Sequence, residues 1–353
     1  MSAFFSGVGV IFALELRQRV RSISWYILLA VFVGLILIVT VLLSFAYYGF
    51  GAADDGGGGI YSTIIYFVLL LGTLVAPALS GNAINGDRDA GTLATTQVTL
   101  ITTGQLIFGK FLAAWVTALA FLAAAVPFLI YATVVGRLGI GTILVSTLVL
   151  ALELGMVAAV GVGLSGLMSR PLFSIVASYL IVAGLSVGTL IAFGLGGLAV
   201  QTPVTNTYSY GQEYGPDGAA ITCSAPVTSE YSAPRFDLFW GALVANPYVI
   251  LADAVPTAYD QYDQPTDLFG FIKLSVRMAQ QAPETATVFD ECAPGNVSTY
   301  DDGPTARETI ESTTPGWAVG LGIQLLLAGG LLVGAHSRTK TPVAKLSRGS
   351  RIA

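Results

Sequence analysis

Apolar residues in this chain are gathered into long unbroken blocks instead of recurring singly as they do on a soluble protein's helices. Stretches free of Asp, Glu, Lys and Arg run over 22–53, 56–86, 111–136, 138–152, 154–169, 171–212 and 312–335. The long ones exceed the roughly 20 residues that a helix needs to cross a bilayer. They predict spans near 24–49, 60–80, 107–132, 139–169, 171–200 and 315–336. The fold class expected is an all-α polytopic membrane protein of six transmembrane helices. Ahead of the first span, Phe4, Phe5, Val8, Ile11, Phe12, Leu14 and Leu16 alternate with Glu15, Arg17 and Arg19, the pattern of an amphipathic helix lying at the interface. An Arg cluster before a long apolar run, with no small-residue cleavage site, predicts an anchor and not a removed signal peptide.

Composition agrees with this pattern. Of 353 residues, 54% are hydrophobic and 10% charged, against about 25% charged in a soluble domain. Charge also orients the spans. With the N-terminus inside, Arg17, Arg19, Arg21, Arg88, Lys110, Arg170, Arg338, Lys340, Lys345, Arg348 and Arg351 fall on the cytoplasmic side. Only Arg137, Arg235, Lys273, Arg277 and Arg307 fall outside. The positive-inside bias therefore predicts two cytoplasmic termini.

Three regions follow. Residues 1–200 carry helices one to five, with the amphipathic helix and a cytoplasmic segment at 82–105. Residues 201–314 form an acidic insert of net charge −11, placed outside between helices five and six. Residues 315–353 hold the sixth helix and a basic tail. Both cysteines, Cys223 and Cys292, lie in the insert, where an oxidising compartment permits a disulfide; two unpaired thiols are the alternative. Within the insert, 235–256 is apolar enough to touch or re-enter the membrane surface, and 268–281 has helical spacing of apolar residues. The flanks at 201–234 and 283–314 read as covering loops.

Several motifs have better explanations than chemistry. Gly104 to Lys110 approaches a phosphate-binding loop, but Phe111 stands where Ser or Thr must hold magnesium, and no buried strand precedes it. Any ATPase must then be another chain. Gly161, Gly163 and Gly166 match a dinucleotide fingerprint yet fall inside a span, where small residues let helices approach. His336 is the sole histidine, and no cluster has metal-ligand spacing. No Ser/His/Asp or Cys/His arrangement can be assembled, so an enzyme is not expected. Asp54 and Asp55 sit in a Gly-rich turn. Glu153 is the one charge deep in a span, a candidate for the translocation path; a protonated or hydrogen-bonded Glu on a helix contact is the equal alternative.

The informative stretch is 78–115. Asp87, Arg88 and Asp89 precede Gly91 and Thr92, then Leu93, Thr95, Gln97 and Val98, a density of small and polar groups unusual for a connector. It resembles the cytoplasmic coupling segment of ABC type-2 exporter permeases: an acidic-Arg-acidic triplet, one residue, Gly-Thr and an apolar continuation, with Asp87 where Glu is commoner. Residues 15–25, 163–182 and 246–256 resemble the entry helix, the joint between spans four and five, and the external element before span six of the same family, particularly its actinobacterial members. The tail 341–353 fits too, whereas 201–234 and 257–314 fall outside the resemblance.

That resemblance implies a permease subunit of a bacterial plasma membrane, paired with a second permease, identical or homologous, and with two copies of a separate ATPase that carries ATP and Mg. Asp87, Arg88, Asp89, Gly91 and Thr92 would couple it to the ATPase, with no cofactor on this chain. The cargo expected is amphipathic or hydrophobic: a lipid, glycolipid, drug or peptide. A membrane-anchored sensor or envelope-assembly scaffold acting through the insert is the alternative. A passive channel or ion-coupled transporter predicts several charged or broken helices, where only Glu153 qualifies.

Overall fold

A computed structural model describes residues 2–49, 56–92, 101–214, 220–291 and 304–339. Helix α1 (Ser2–Val20) turns at Arg21 and Ser22 into α2 (Ile23–Gly49). The chain returns through α3 (Gly56–Ser80), and a short α4 (Asn85–Asp89) follows. Next come α5 (Thr103–Gly136) and α6 (Ile140–Leu167). The fifth long helix is α7 (Pro171–Ala183), a π turn (Gly184–Gly188) and α8 (Thr189–Ala199) in continuity.

The insert folds as strands and short helices. β1 (Gln201–Ser209) lies between β4 (Val227–Pro234), antiparallel, and β5 (Ala286–Asp290), parallel. Its register with β4 runs from Gln201 opposite Pro234 to Tyr208 opposite Val227. β2 (Gly211–Tyr214) and β3 (Ala220–Cys223) pair separately. Helices α9 (Pro247–Ala254), α10 (Leu268–Met278) and α11 (Ala306–Ser312) lead to the last long helix, α12 (Trp317–Thr339).

Among the described residues, six helices are long and apolar enough to cross a membrane: α2, α3, α5, α6, the α7–α8 helix and α12. Helical backbone satisfies its own polar groups, which is what an apolar solvent demands. The helices overrun the expected spans where a cap sets the boundary. α5 begins with a capping box in which Thr102 accepts from Gln105 N and Gln105 Oε1 accepts from Thr102 N, and it ends at Arg137 in the left-handed region, φ 46°. The centre is α3 and α6, with Ile60, Ile64, Ile65, Val68 and Leu69 of α3 and Leu150 and Leu154 of α6 fully buried. Tyr61 of α3 reaches Ser146 of α6 across this core at 2.9 Å.

The reading of 201–234 as covering loops is corrected: most of it pairs as strands. β1 is rich in Thr, Val and Tyr, which suit a pleated surface, but its parallel partner β5 lies some eighty residues on, beyond the reach of a local pattern. The N-terminal segment is helical, and it seats Val8 and Ile11 against α5, whereas Phe5, Val10 and Val20 stay exposed on its other faces. The 235–256 stretch goes deeper than a surface contact. Its 3-10 turn Trp240–Ala245 and α9 insert between the long helices, where Val249, Ile250, Leu251 and Ala252 are buried.

Candidate functional site

α4 leaves α3 through a turn at 81–84 and is tied to four other helices. The hydroxyl of Ser165, at the end of α6, accepts from the backbone N–H groups of Ile84 (2.9 Å) and Asn85 (3.1 Å). Asn85 Nδ2 donates to Ser174 of α7 at 3.2 Å, and Ser174 donates to Gly81 O at 2.5 Å. Arg88 Nη1 donates to Asn85 Oδ1 and to Met168 O, each at 2.9 Å, so it grips the joint between α6 and α7. Asp87 pairs with Lys110 of α5 at 2.8 Å, and the same ammonium pairs with Glu15 of α1. The Lys110 side chain is 2% exposed. Through these bonds α4 is joined to α1, α5, α6 and α7.

Arg19, one turn beyond Glu15, donates to Thr117 of α5 at 3.0 Å. Burial lowers the pKa of its guanidinium from the ordinary value, and the Glu15 carboxylate opposes that shift. Glu15 thus stands between two cations. Sequence reading missed this cluster, taking Lys110 as the end of a false phosphate loop. Residues 104–110 are the first turns of α5, with no loop to cradle a phosphate. The usable signal was Lys110 itself, because a lone ammonium at the edge of an apolar span requires a carboxylate partner.

The five expected coupling residues divide into two kinds. Asp87 and Arg88 are half-buried and make the ties just described. Asp89, Gly91 and Thr92 are exposed. Gly91 adopts φ 70°, a left-handed conformation that favours glycine, and so turns the chain out of α4. Thr92 donates to Asp87 O at 3.2 Å. Leu93, Thr95, Gln97 and Val98 lie outside the described residues, as do Asp54, Asp55, Cys292 and the tail 341–353.

A second polar centre lies at mid-bundle. Glu153 is at the midpoint of α6, and its side chain is buried. It lines a small cavity with Thr73, Pro247 and Gln324. α9 contributes Pro247 to its wall. Asn246 caps α9 by accepting from Tyr248 N (2.9 Å), and its Nδ2 donates to Ser186 O (2.7 Å) and Thr189 Oγ1 (2.9 Å). Ser186 belongs to the π turn, a widened turn of the kind found at functional sites. Tyr248 stacks on Tyr66 and lies 3.3 Å from Thr73 Oγ1, and Gln324 Nε2 donates to Ala245 O at 3.1 Å.

Asp253 then fixes the start of α12. Its Oδ1 accepts from Arg277 Nη2 at 2.6 Å, and its Oδ2 accepts from Gly316 N (2.7 Å) and Trp317 N (3.0 Å).

The remaining sequence candidates have structural places. A Cβ on Gly161 would strike Ser80 of α3, and one on Gly163 or Gly166 would strike Leu331 or Ala335 of α12. These glycines are helix contacts, not a nucleotide fingerprint. His336 lines an apolar cleft with Phe4, Phe5 and Phe108. Among the described residues no group of His, Cys, Asp and Glu has the arrangement of a metal site. Cys223 ends β3 opposite Gly211, whose N–H donates to Glu291 Oε2 at 2.9 Å.

The fold is that of a multi-pass helical membrane protein. No protein-family model matches the chain, and no curated protein matches it.

Proposed function

We propose that the chain is the permease subunit of an ATP-binding-cassette exporter, moving an amphipathic or hydrophobic cargo by alternating access. The observation that carries this is the attachment of α4. A solvated connector has no need of Ser165, Ser174, Met168 O and Lys110 as simultaneous anchors. A lever that transmits a push from outside the bundle does. Asp89, Gly91 and Thr92 present the exposed face to a separate ATPase, which binds ATP and Mg. Asp87 and Arg88 carry the motion to α1, α5 and the α6–α7 joint. The resemblance of 87–92 to the type-2 coupling motif supports the same reading, as does the convergence of 15–25, 78–92 and 163–182 at one end of the bundle.

In this reading α9 and its bonds are the gate at the insert end, and the described state is closed there. A two-state equilibrium biased by differential contacts then moves the cavity between the two sides. Two ATPase copies and a second permease, identical or homologous, complete the assembly in a bacterial plasma membrane with both termini cytoplasmic. A Cys223–Cys292 disulfide closes the external insert.

The test is purification from native membranes in mild detergent. A stoichiometric ATPase with vanadate-sensitive turnover is expected. Asp89→Ala should weaken the association, whereas Arg88→Ala should keep the ATPase bound and lose transport-coupled turnover. Normal turnover in Arg88→Ala removes the lever. Recovery of the chain without any ATPase favours the sensor or scaffold reading.

A further inference from the structure

The cavity beside Glu153 has a volume of about 20 Å³. One water-sized guest needs about 10–15 Å³, so the space admits a single small occupant and no lipid, peptide or drug. Two side-chain oxygens of its lining residues are left over. Glu153 Oε1 and Gln324 Oε1 have no hydrogen-bond partner among the described residues. Gln324 Nε2 donates one hydrogen to Ala245 O and offers the other to the Glu153 carboxyl, which leaves its Oε1 over. Ser186 Oγ, next to the wall residue Leu185, is a third buried oxygen with no partner among the described residues. Thr73 commits its hydrogen to Leu70 O at 2.7 Å and presents lone pairs.

A carboxyl oxygen and an amide oxygen are thus left without a partner, in a region where unpaired polar atoms are costly. No cationic side chain lines the cavity. The other titratable groups on the surrounding helices are the phenols of Tyr61, Tyr66, Tyr179 and Tyr248, with Asp253 on α9 and His336 and Arg338 on α12, and none of them lines the cavity. Tyr66 and Tyr179 donate to Tyr248 O and Leu74 O, and Tyr248 pairs with Thr73. Intramembrane carboxylates with this surrounding serve ion or proton binding.

We propose that Glu153 and Gln324 form a single-occupant site for a small monovalent cation, a sodium ion or a proton, which α9 seals when Asn246 and Tyr248 make their bonds. A proton needs only the two orphaned oxygens and satisfies both at once. Sodium also recruits Thr73, which lines the cavity. The site goes beyond the exporter reading and does not rest on an ATPase.

The experiment uses the purified full-length chain in lipid nanodiscs, without a partner. Radiolabelled sodium binding is measured at mildly acidic and mildly alkaline pH, and infrared difference spectra between the two are compared with those of Glu153→Gln. Sodium bound at one per chain and lost in Glu153→Gln supports the sodium form. Absence of sodium binding, with a carboxylic-acid band that vanishes at alkaline pH and is missing in Glu153→Gln, supports the proton form. Gln324→Leu should weaken either occupant roughly tenfold or more, the worth of one contact to a charged group. A wild-type chain that binds no sodium and has no pH-dependent carboxyl band overturns the proposal, and this outcome needs no variant to fold. Because no ATPase is present, failure here leaves the exporter reading standing, and failure to recover an ATPase leaves this site standing.

Discussion

Replacing Lys110 by Met removes one charge and keeps the length of the side chain, which isolates the ion cluster that ties α1 and α4 to α5. The Lys110 side chain is 2% exposed, Glu15 12% and Asp87 31%. Breaking a buried ion pair costs roughly 3–5 kcal/mol because the surviving charge is stranded, whereas loss of an exposed pair costs roughly 0–1 kcal/mol. The Glu15 arm belongs with the first class and the Asp87 arm near the second. Arg19 also faces Glu15, so the stranded carboxylate keeps part of its compensation. The expected loss is therefore at the low end, about 3 kcal/mol.

Two double-mutant cycles separate the arms. Lys110→Met with Glu15→Gln should show a coupling of about 2 kcal/mol, and Lys110→Met with Asp87→Asn less than about 1 kcal/mol. Both are read by reversible unfolding in mixed detergent, followed by the fluorescence of Trp25 and Trp115. A Lys110→Met loss under about 1 kcal/mol refutes the burial argument. A larger coupling to Asp87 than to Glu15 refutes the ranking by exposure.

Burial raises the pKa of the Asp267 carboxyl from its ordinary 3.8, against the bond from Gly270 N and the field of Lys273. The folded chain then binds more protons than the unfolded chain, so stability falls as pH rises from 3.8 through the raised value. Asp267→Asn should lose that slope in the unfolding midpoint against pH, and an unchanged slope counts against the assignment. Gly163→Val places a Cβ 2.7 Å from that of Leu331 and 2.9 Å from its carbonyl carbon. Overpacking should cost about 1–3 kcal/mol in unfolding measurements, while Gly329→Ala, with open space around it, should cost far less. Alkylation of the denatured chain should label Cys223 and Cys292 only after reduction; the bridge would be worth about 4 kcal/mol in the chain-entropy model, and labelling without reductant discards it.

Blocks of apolar residues determined six long helices by themselves, since a helix is the one way such a run can satisfy its backbone in lipid. The seam glycines 161, 163 and 166 were legible for a related reason: within a span, small residues have little use except close approach. Helix ends were less so, because a cap such as Thr102–Gln105 is a polar pair outside the apolar block. In the 87–92 stretch the sequence supplied the residues but not their division of labour. Only the folded chain tied Asp87 and Arg88 to the bundle and left Asp89 to Thr92 outside, because their partners Lys110 and Met168 O come from elements far along the sequence.

The depth of 235–256 and the pairing of β1 with β5 were also decided in three dimensions. Asn246, Tyr248 and Asp253 look like ordinary polar residues of a loop until Ser186, Thr73 and Arg277 are brought beside them. Glu153 was visible as a lone charge in a span, yet its cavity and Gln324 were not. Hydropathy is a property of single residues and survives reading in one dimension. Hydrogen-bond and ion-pair partners are properties of pairs, and the packing of distant helices selects them.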